Sequence, residues 1–401
     1  MATAANWTRR SVVAGMVGTP MLLIAGCTGG SGSKGSGGGG SSPAASRATV
    51  TVTPKDGATG VDMTAPVTVR VAQGTLEEVT LTGPGGKHIA GRLTPDRAGW
   101  TSDAPLSSSA GYKLAAVTKD SAGTTATAAA AFTTGKPAKT LVGTYTPDDK
   151  MTVGVGMPVS ITFDNVVTNK AAVQKAITVT AEPPVEIVGH WFGDSRLDFR
   201  PQQYWKPGTK VTVKLALKDV EASKGRFGTQ ARTVTFTVGR SQTSVADLGS
   251  HQLTVTRDGK VTGSFPISGG SPEHTTWAGK MVISEKLLQT RMDSRTVNLG
   301  GEYDIADVPH AQRLTNSGTF IHGNYWSYGT FGNVNTSHGC VGLHDVQGAS
   351  DPSTPAAQFY NSSLVGDVVE VVNSGDRTVD PANGLNGWNM DWSTWKAGSA
   401  V

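Results

Sequence analysis

Two stretches of this chain echo each other at an offset of a little over ninety residues, and that offset limits what either can fold into. The first holds "TVTPKDGATGVDMTAPVTVRV" and later "GWTSDAPLSSSAGYKLAAV". The second holds "GTYTPDDKMTVGVGMPVSITF" and later "LDFRPQQYWKPGTKVTVKL". Pro66 corresponds to Pro158 and Gly111 to Gly208, and the copies close on the alternating runs "TAAAAFTTG" and "TVTFTVG". Alternation with a period of two is the pattern of strands with one buried face, and the Gly, Pro and Asp residues between runs mark turns. About ninety residues, interrupted this often, make one sandwich of roughly seven short strands.

The chain therefore reads as mainly β, beginning with two tandem immunoglobulin-like β-sandwich domains at 48–137 and 138–239. Neither shows an aromatic cluster beyond Tyr204-Trp205, which is expected to pack beside the Lys206-Pro207-Gly208 turn. Spacers are favoured over sugar- or wall-binding modules. From about Arg240 the texture changes. Two strands meet at an Asp258-Gly259 turn, the run "GTFIHG" reads as a strand, and a glycine-rich loop leads to "SHGCVGL". A short helix is expected around "STPAAQFYNSSL" before a final strand, "GDVVEVV". Six of the eight histidines fall in this third unit, 240–375, which makes it the chemical domain. A tail, 376–401, follows. Its Trp388, Trp392 and Trp395 lie at i, i+4 and i+7, one face of a short helix expected to dock on the third unit. Acids and bases are interspersed at a net charge of +4, with no basic block of the kind that binds nucleic acid.

The first residues look like an export signal. Arg9 and Arg10 precede an apolar run, Ser11 to Ile24, too short to span a bilayer comfortably. The sequence Ile24-Ala25-Gly26-Cys27 resembles a bacterial lipobox, so 1–27 is expected to be a signal peptide with Cys27 as its lipidation site. An ordinary signal peptide that happens to contain a cysteine is the alternative, and the paired arginines allow twin-arginine export. A Gly/Ser linker, 28–47, cannot bury a core and would lift the domains off a membrane surface. With Cys27 lipidated, Cys340 is a single free thiol in an oxidising compartment, an unusual arrangement that invites a reactive explanation.

Cys340 sits in "TSHGCVGLHD". A cysteine nucleophile needs a base, and the base needs a partner to orient it. In extended chain His338 and Cys340 share a face. Gly339 permits close approach of the backbone, so that neighbouring N–H groups can form an oxyanion hole. His322 ends a strand, where a side chain can point into a cleft, and the loop from Asn324 to Thr336 suits a lid. The same residues allow two other readings: a zinc site built from His322, His338, Cys340 and His344, or a buried cysteine with no chemistry.

His322, the segment Gly323 to Thr336, and Ser337-His338-Gly339-Cys340 together resemble the signature of the L,D-transpeptidases. The similarity covers about 240–401, and the two sandwiches and the tail "GLNGWNMDWSTWKAG" resemble the actinobacterial branch. The resemblance implies a β-rich catalytic domain with a lidded cleft, no metal and no organic cofactor. It implies Cys340 as nucleophile and His322 as general base, oriented by the carbonyl of Gly323, which supplies it as well as any residue, so that the missing side chain is no objection. His338 would line the cleft, while N–H groups around Gly339 and Cys340 would bind the oxyanion. Ser317, Gly318, Tyr303, Trp326, Ser337 and Gly342 would contact substrate. Gly342 stands where related enzymes often carry Asn. The implied reaction is formation of 3→3 cross-links between peptidoglycan stem peptides with release of D-alanine, with carbapenem β-lactams as inhibitors. Two other outcomes remain: an L,D-carboxypeptidase using water, or a non-catalytic wall-binding lipoprotein. The place of action would be the outer face of the cytoplasmic membrane, held through the N-terminal lipid.

Overall fold

The structure, a computed structural model, describes residues 45–401 except 104, 298 and 299. The expected lipidation site Cys27 and most of the Gly/Ser linker lie outside the described residues.

In the first repeat, strands Thr49–Thr53, Thr68–Ala72, Gly99–Ser102 and Gly91–Leu93 form one sheet. Strands His88–Ile89, Gly74–Thr82, Gly111–Asp120 and Thr125–Thr133 form another. In the strand Gly111–Asp120 the buried positions are Tyr112, Leu114, Ala116, Thr118 and Asp120, the alternation read from the sequence. The second repeat pairs the sheet Gly143–Thr146, Val159–Phe163, Arg196–Arg200, Val188–Phe192 with the sheet Thr152–Val153, Ala231–Val238, Lys210–Ala216, Ile177–Glu182. It adds helix α1 (Lys170–Lys175), which the strand pattern does not announce. Asn169 caps it by accepting a hydrogen bond from the N–H of Ala172. Phe227, on a short strand of the second repeat, is buried in the core of the first.

The third unit is one nine-stranded sheet. Its strands are β1 (Gln242–Asp247), β2 (Gln252–Arg257), β3 (Lys260–Ser268), β4 (Gly279–Val282), β5 (Glu285–Asp293), β6 (Asp304–Arg313), β7 (Phe320–Asn324), β8 (Val341–His344) and β9 (Val368–Val372). They lie in the order β4-β9-β1-β2-β3-β8-β7-β6-β5. Asp258 and Gly259, both at positive φ, make the two-residue hairpin turn between β2 and β3. Pairing is antiparallel except for β1 with β9 and β7 with β8. The β7–β8 pair sets Ile321 opposite Val341 and His322 opposite Gly342, so two stretches distant in sequence are brought side by side. Helix α2 (Pro355–Ser362), capped by the Thr354 hydroxyl, packs over β6, β7 and β8.

The second sandwich and the third unit share a core: Val282, Val368 and Leu385 are buried in the same cluster as Val155, Met157 and Trp205. Gly154 and Gly156 donate backbone hydrogen bonds to the carbonyls of Val365 and Gly366, at 2.8 and 2.9 Å. A Cβ on Gly154 would lie 2.2 Å from the nitrogen of Asp367, so the close approach requires glycine.

The tail departs from expectation in two ways. Its helix, α3 (Trp392–Ala397), begins only at Trp392, and Trp388 sits in a separate 3-10 turn, Gly387–Asn389. The tryptophans also face the second sandwich rather than the third unit. Trp395 is fully buried, stacked on His190 at 4.9 Å, with its indole N–H donating to the Val188 carbonyl at 2.9 Å. The guanidinium of Arg200 lies over Trp388, Trp392 and Trp395 at 4.6, 5.3 and 4.3 Å. The reason is chemical: the second sandwich offers a cation and aromatic rings, while the edge strand β4 offers backbone N–H groups. The tail meets that edge with amides, Asn389 accepting from Lys280 and Asn386 from Val282, both at 2.9 Å.

Candidate active site

The cleft of the third unit has a volume of about 460 Å³. Cys340, His322, His338, Ser337, Gly342, Tyr303 and Trp326 all line it.

Cys340 immediately precedes β8, half-buried. The N–H of Phe320 donates to its Sγ at 3.4 Å, and the thiol donates to the carbonyl of Gly318 at 3.7 Å. Burial pushes the thiol up to about 11, so at neutral pH the group is a thiol. His322, on β7, is buried, and its Nδ1 is 2.7 Å from the carbonyl of Gly323. A carbonyl only accepts, so Nδ1 carries the proton and Nε2 keeps a free lone pair. Burial lowers its pKa below the ordinary value of 6.5, against smaller opposing effects of that hydrogen bond and of Asp345. A neutral imidazole beside a cleft, with its tautomer fixed, can accept a proton.

The turn carrying the cysteine is built by Ser337. Its hydroxyl donates to the carbonyl of Cys340 at 2.6 Å and accepts from the N–H of Gly339 at 3.2 Å. Gly339 has φ +106°, which a side chain would strain. The N–H of Gly339, expected at the oxyanion, is engaged by the Ser337 hydroxyl in this structure. His338 turns its Nε2 to Glu302, 3.0 Å away, and packs against Tyr303 at 5.1 Å. Trp326 stacks over His322 at 6.0 Å, and its backbone N–H donates to Asn324 Oδ1 at 3.0 Å.

Other expectations need adjusting. Ser317 does not line the cleft: Asn383 of the tail donates to its hydroxyl at 2.8 Å and accepts from its N–H at 3.0 Å. Gly318 contributes its carbonyl to the thiol but is absent from the lining. The carbonyl of Gly323 faces His322, and the position has no room for a side chain, since a Cβ there would lie 2.0 Å from Asp345 Oδ2. Asp345 itself was not picked out from the sequence. It is buried, accepts from His310 Nδ1 at 2.7 Å and from Thr354 Oγ1 at 3.0 Å, and lies against Gly323, where its charge favours the protonated form of His322. The zinc set His322, His338, Cys340 and His344 is not assembled as a ligand cluster among the described residues. The ring of His344 lies instead beside Tyr328 and Phe331. At Gly342 a Cβ would meet only ordinary contacts, Phe331 and Ser268 at 3.6 Å and Asn324 at 3.7 Å, so a side chain would fit.

Residues 58–221 match the bacterial Ig domain family, and residues 241–371 match the L,D-transpeptidase catalytic domain. The fold and cleft thus define a class, an Ig-bearing chain with a catalytic domain of that kind. L,D-transpeptidase 2 of Mycobacterium tuberculosis is 37% identical over 355 residues, covering 88% of this chain and 85% of that protein. L,D-transpeptidase 5 of the same species is 34% identical over 359 residues, covering 88% and 77%. An L,D-transpeptidase solved in complex with imipenem is 29% identical, with a TM-score of 0.49, covering 59% of this chain and 100% of its own. The chain belongs to the L,D-transpeptidase family.

Proposed function

We propose that this protein forms 3→3 peptidoglycan cross-links through a thioester on Cys340. The observation that carries the reading is the pairing, in one cleft, of a thiol with a buried imidazole whose tautomer is fixed by Gly323. With both groups neutral, attack and proton transfer are coupled. As Sγ bonds to the carbonyl carbon of the third stem residue, its proton passes to Nε2 of His322. The oxyanion forms beside the SHGC turn, where the N–H of Cys340 is the candidate donor, since that of Gly339 is occupied. The C–N bond then breaks, and His322 returns the proton to the departing amine of D-alanine. An amine on a neighbouring stem adds to the thioester, gives its proton to His322, and expels the sulfur, which is reprotonated. Tyr303 and Trp326 would hold the stem across the cleft. Carbapenems would acylate the same sulfur by opening of their lactam.

Incubation of the protein with tetrapeptide stems, read by mass spectrometry, tests this directly. Cross-linked dimer with loss of D-alanine is expected, absent in Cys340→Ala. Tripeptide alone would assign the water-using carboxypeptidase instead, and no product at all would leave a wall-binding role. On the same reading the protein works outside the cytoplasm on a lipid at Cys27. Cys27→Ala should then move it from membrane to medium, and unchanged membrane association would refute that anchor.

A further inference from the structure

We infer that the rim of the cleft holds a divalent metal site of zinc-binding type, formed by His274, Glu302 and His338. The three residues come from separate segments: the loop after β3, the loop before β6, and the turn that carries Cys340. Glu302 Oε2 lies 3.0 Å from His338 Nε2 and 3.3 Å from His274 Nε2, and the imidazole rings are 4.9 Å apart. All three donor atoms fall within 4.8 Å of one another. Zinc bound tetrahedrally at about 2.0–2.1 Å separates its ligand atoms by about 3.3 Å. The two edges to Glu302 therefore already match, and closing the site asks the third edge, which lies within 4.8 Å, to shorten by up to about 1.5 Å.

Two histidines and one carboxylate, partly exposed, leave coordination positions open to water, as zinc accepts. The donor set is also one that a single cation satisfies better than the residues satisfy each other, because one carboxylate faces two rings. The site does not use Cys340 or His322. It does use His338, two residues from the cysteine, and His338 packs on Tyr303, which lines the same cleft. A bound ion would tie the cysteine turn to the Glu302 loop and fix the His338–Tyr303 wall. We therefore expect zinc to slow acylation from the rim, without touching the thiol. Binding itself is independent of the reaction proposed above; only the slowing rests on it.

The test separates these two. In full-length protein carrying Cys340→Ala, which removes the competing thiol ligand, calorimetric titration with ZnCl2 should show one bound ion. His274→Ala or Glu302→Gln in that background should weaken binding by at least about tenfold. Cobalt(II) bound to the wild-type chain should lack the near-ultraviolet thiolate charge-transfer band. In protein with the cysteine intact, zinc should slow carbapenem acylation several-fold, reversibly with chelator. His274→Ala, with melting temperature checked, should abolish the slowing. No binding in the Cys340→Ala chain, undiminished binding in both ligand variants, or a thiolate band with cobalt would overturn the site. Binding that leaves acylation unchanged would overturn the rim effect.

Discussion

His322 is held by the carbonyl of the next residue, and that residue has no room for a side chain. A Cβ at 323 would press within 2.0 Å of Asp345 Oδ2, and Asp345 cannot retreat without giving up His310 and Thr354. Gly323→Ala should therefore cost about 1–3 kcal/mol, the usual penalty of overpacking, seen as a lower melting temperature. It should also slow acylation, because the carbonyl that orients His322 shifts with it. A variant that melts and reacts like the parent would show that the sheet relaxes freely there. The two cleft histidines should separate just as cleanly. His322→Gln should slow carbapenem acylation by about 10²–10⁴-fold, the range of a lost general base, while His338→Gln should cost less. Burial holds the His322 pKa below 6.5. The neutral base thus persists as pH falls past the ordinary imidazole value, and acylation should lose its rate only below 6.5. His338→Gln should keep that acid limb and His322→Gln should abolish it. A limb that survives in His322→Gln, or a larger loss at His338, would show the roles reversed.

At the scale of elements, the reactive turn is closed by local bonds and anchored at Ser337 by backbone bonds to Gly269 and Ser271. Ser337 ties Gly339 and Cys340 into one turn through its hydroxyl, and the parallel β7–β8 pair places that turn next to His322. Ser337→Ala removes two hydrogen bonds worth about 0.5–1.5 kcal/mol each. It should lower the acylation rate while circular dichroism stays native, and Ser337→Thr should restore most of the rate. Equal rates in Ser337→Ala would mean that glycine geometry alone sets the turn. This locality explains what could be read in advance. The Cys340 motif, the Asp258-Gly259 hairpin and the strand alternation are written in neighbouring residues, so the sequence carries them. Asp345 against Gly323 and Ser317 against Asn383 depend on which distant segments become neighbours, and no short pattern announces that. Helix α1 escaped for another reason. Six residues in a strand-rich repeat make too short a periodic signal, and only the Asn169 cap marks their start.

Across the whole molecule the tail does what the linker between the second sandwich and the third unit does not do alone. Residues 386–401 bond to β4 through Asn386 and Asn389 and bury Trp395 against His190. They also supply the carbonyls of Gly387 and Met390 as acceptors for Arg200, at 3.3 and 3.0 Å. Arg200 is itself buried, and its guanidinium pKa is lowered to about 10 by desolvation. Without the tail it would lose the three rings that cover it and two of its carbonyl acceptors, keeping those of Pro201 and Gln202, and would be opened to water. The sequence announced three tryptophans in search of a surface. Which surface was not legible, because Arg200 lies 188 positions before Trp388 in the chain. Trp395 is fully buried, so Trp395→Ala should cost about 3–5 kcal/mol, as for a large core aromatic. The loss should fall first on the second sandwich, to which the ring is docked. Calorimetry of the parent should show the second sandwich and third unit melting together, since they share one core. Trp395→Ala should move the sandwich to a lower, separate transition, and Trp395→Phe should recover part of the shift. Acylation of Cys340 should change little at temperatures below that transition, because no cleft residue touches Trp395 in the contacts described. If Trp395→Ala melts as the parent does but binds peptidoglycan less, the tryptophans serve a ligand rather than the joint between domains.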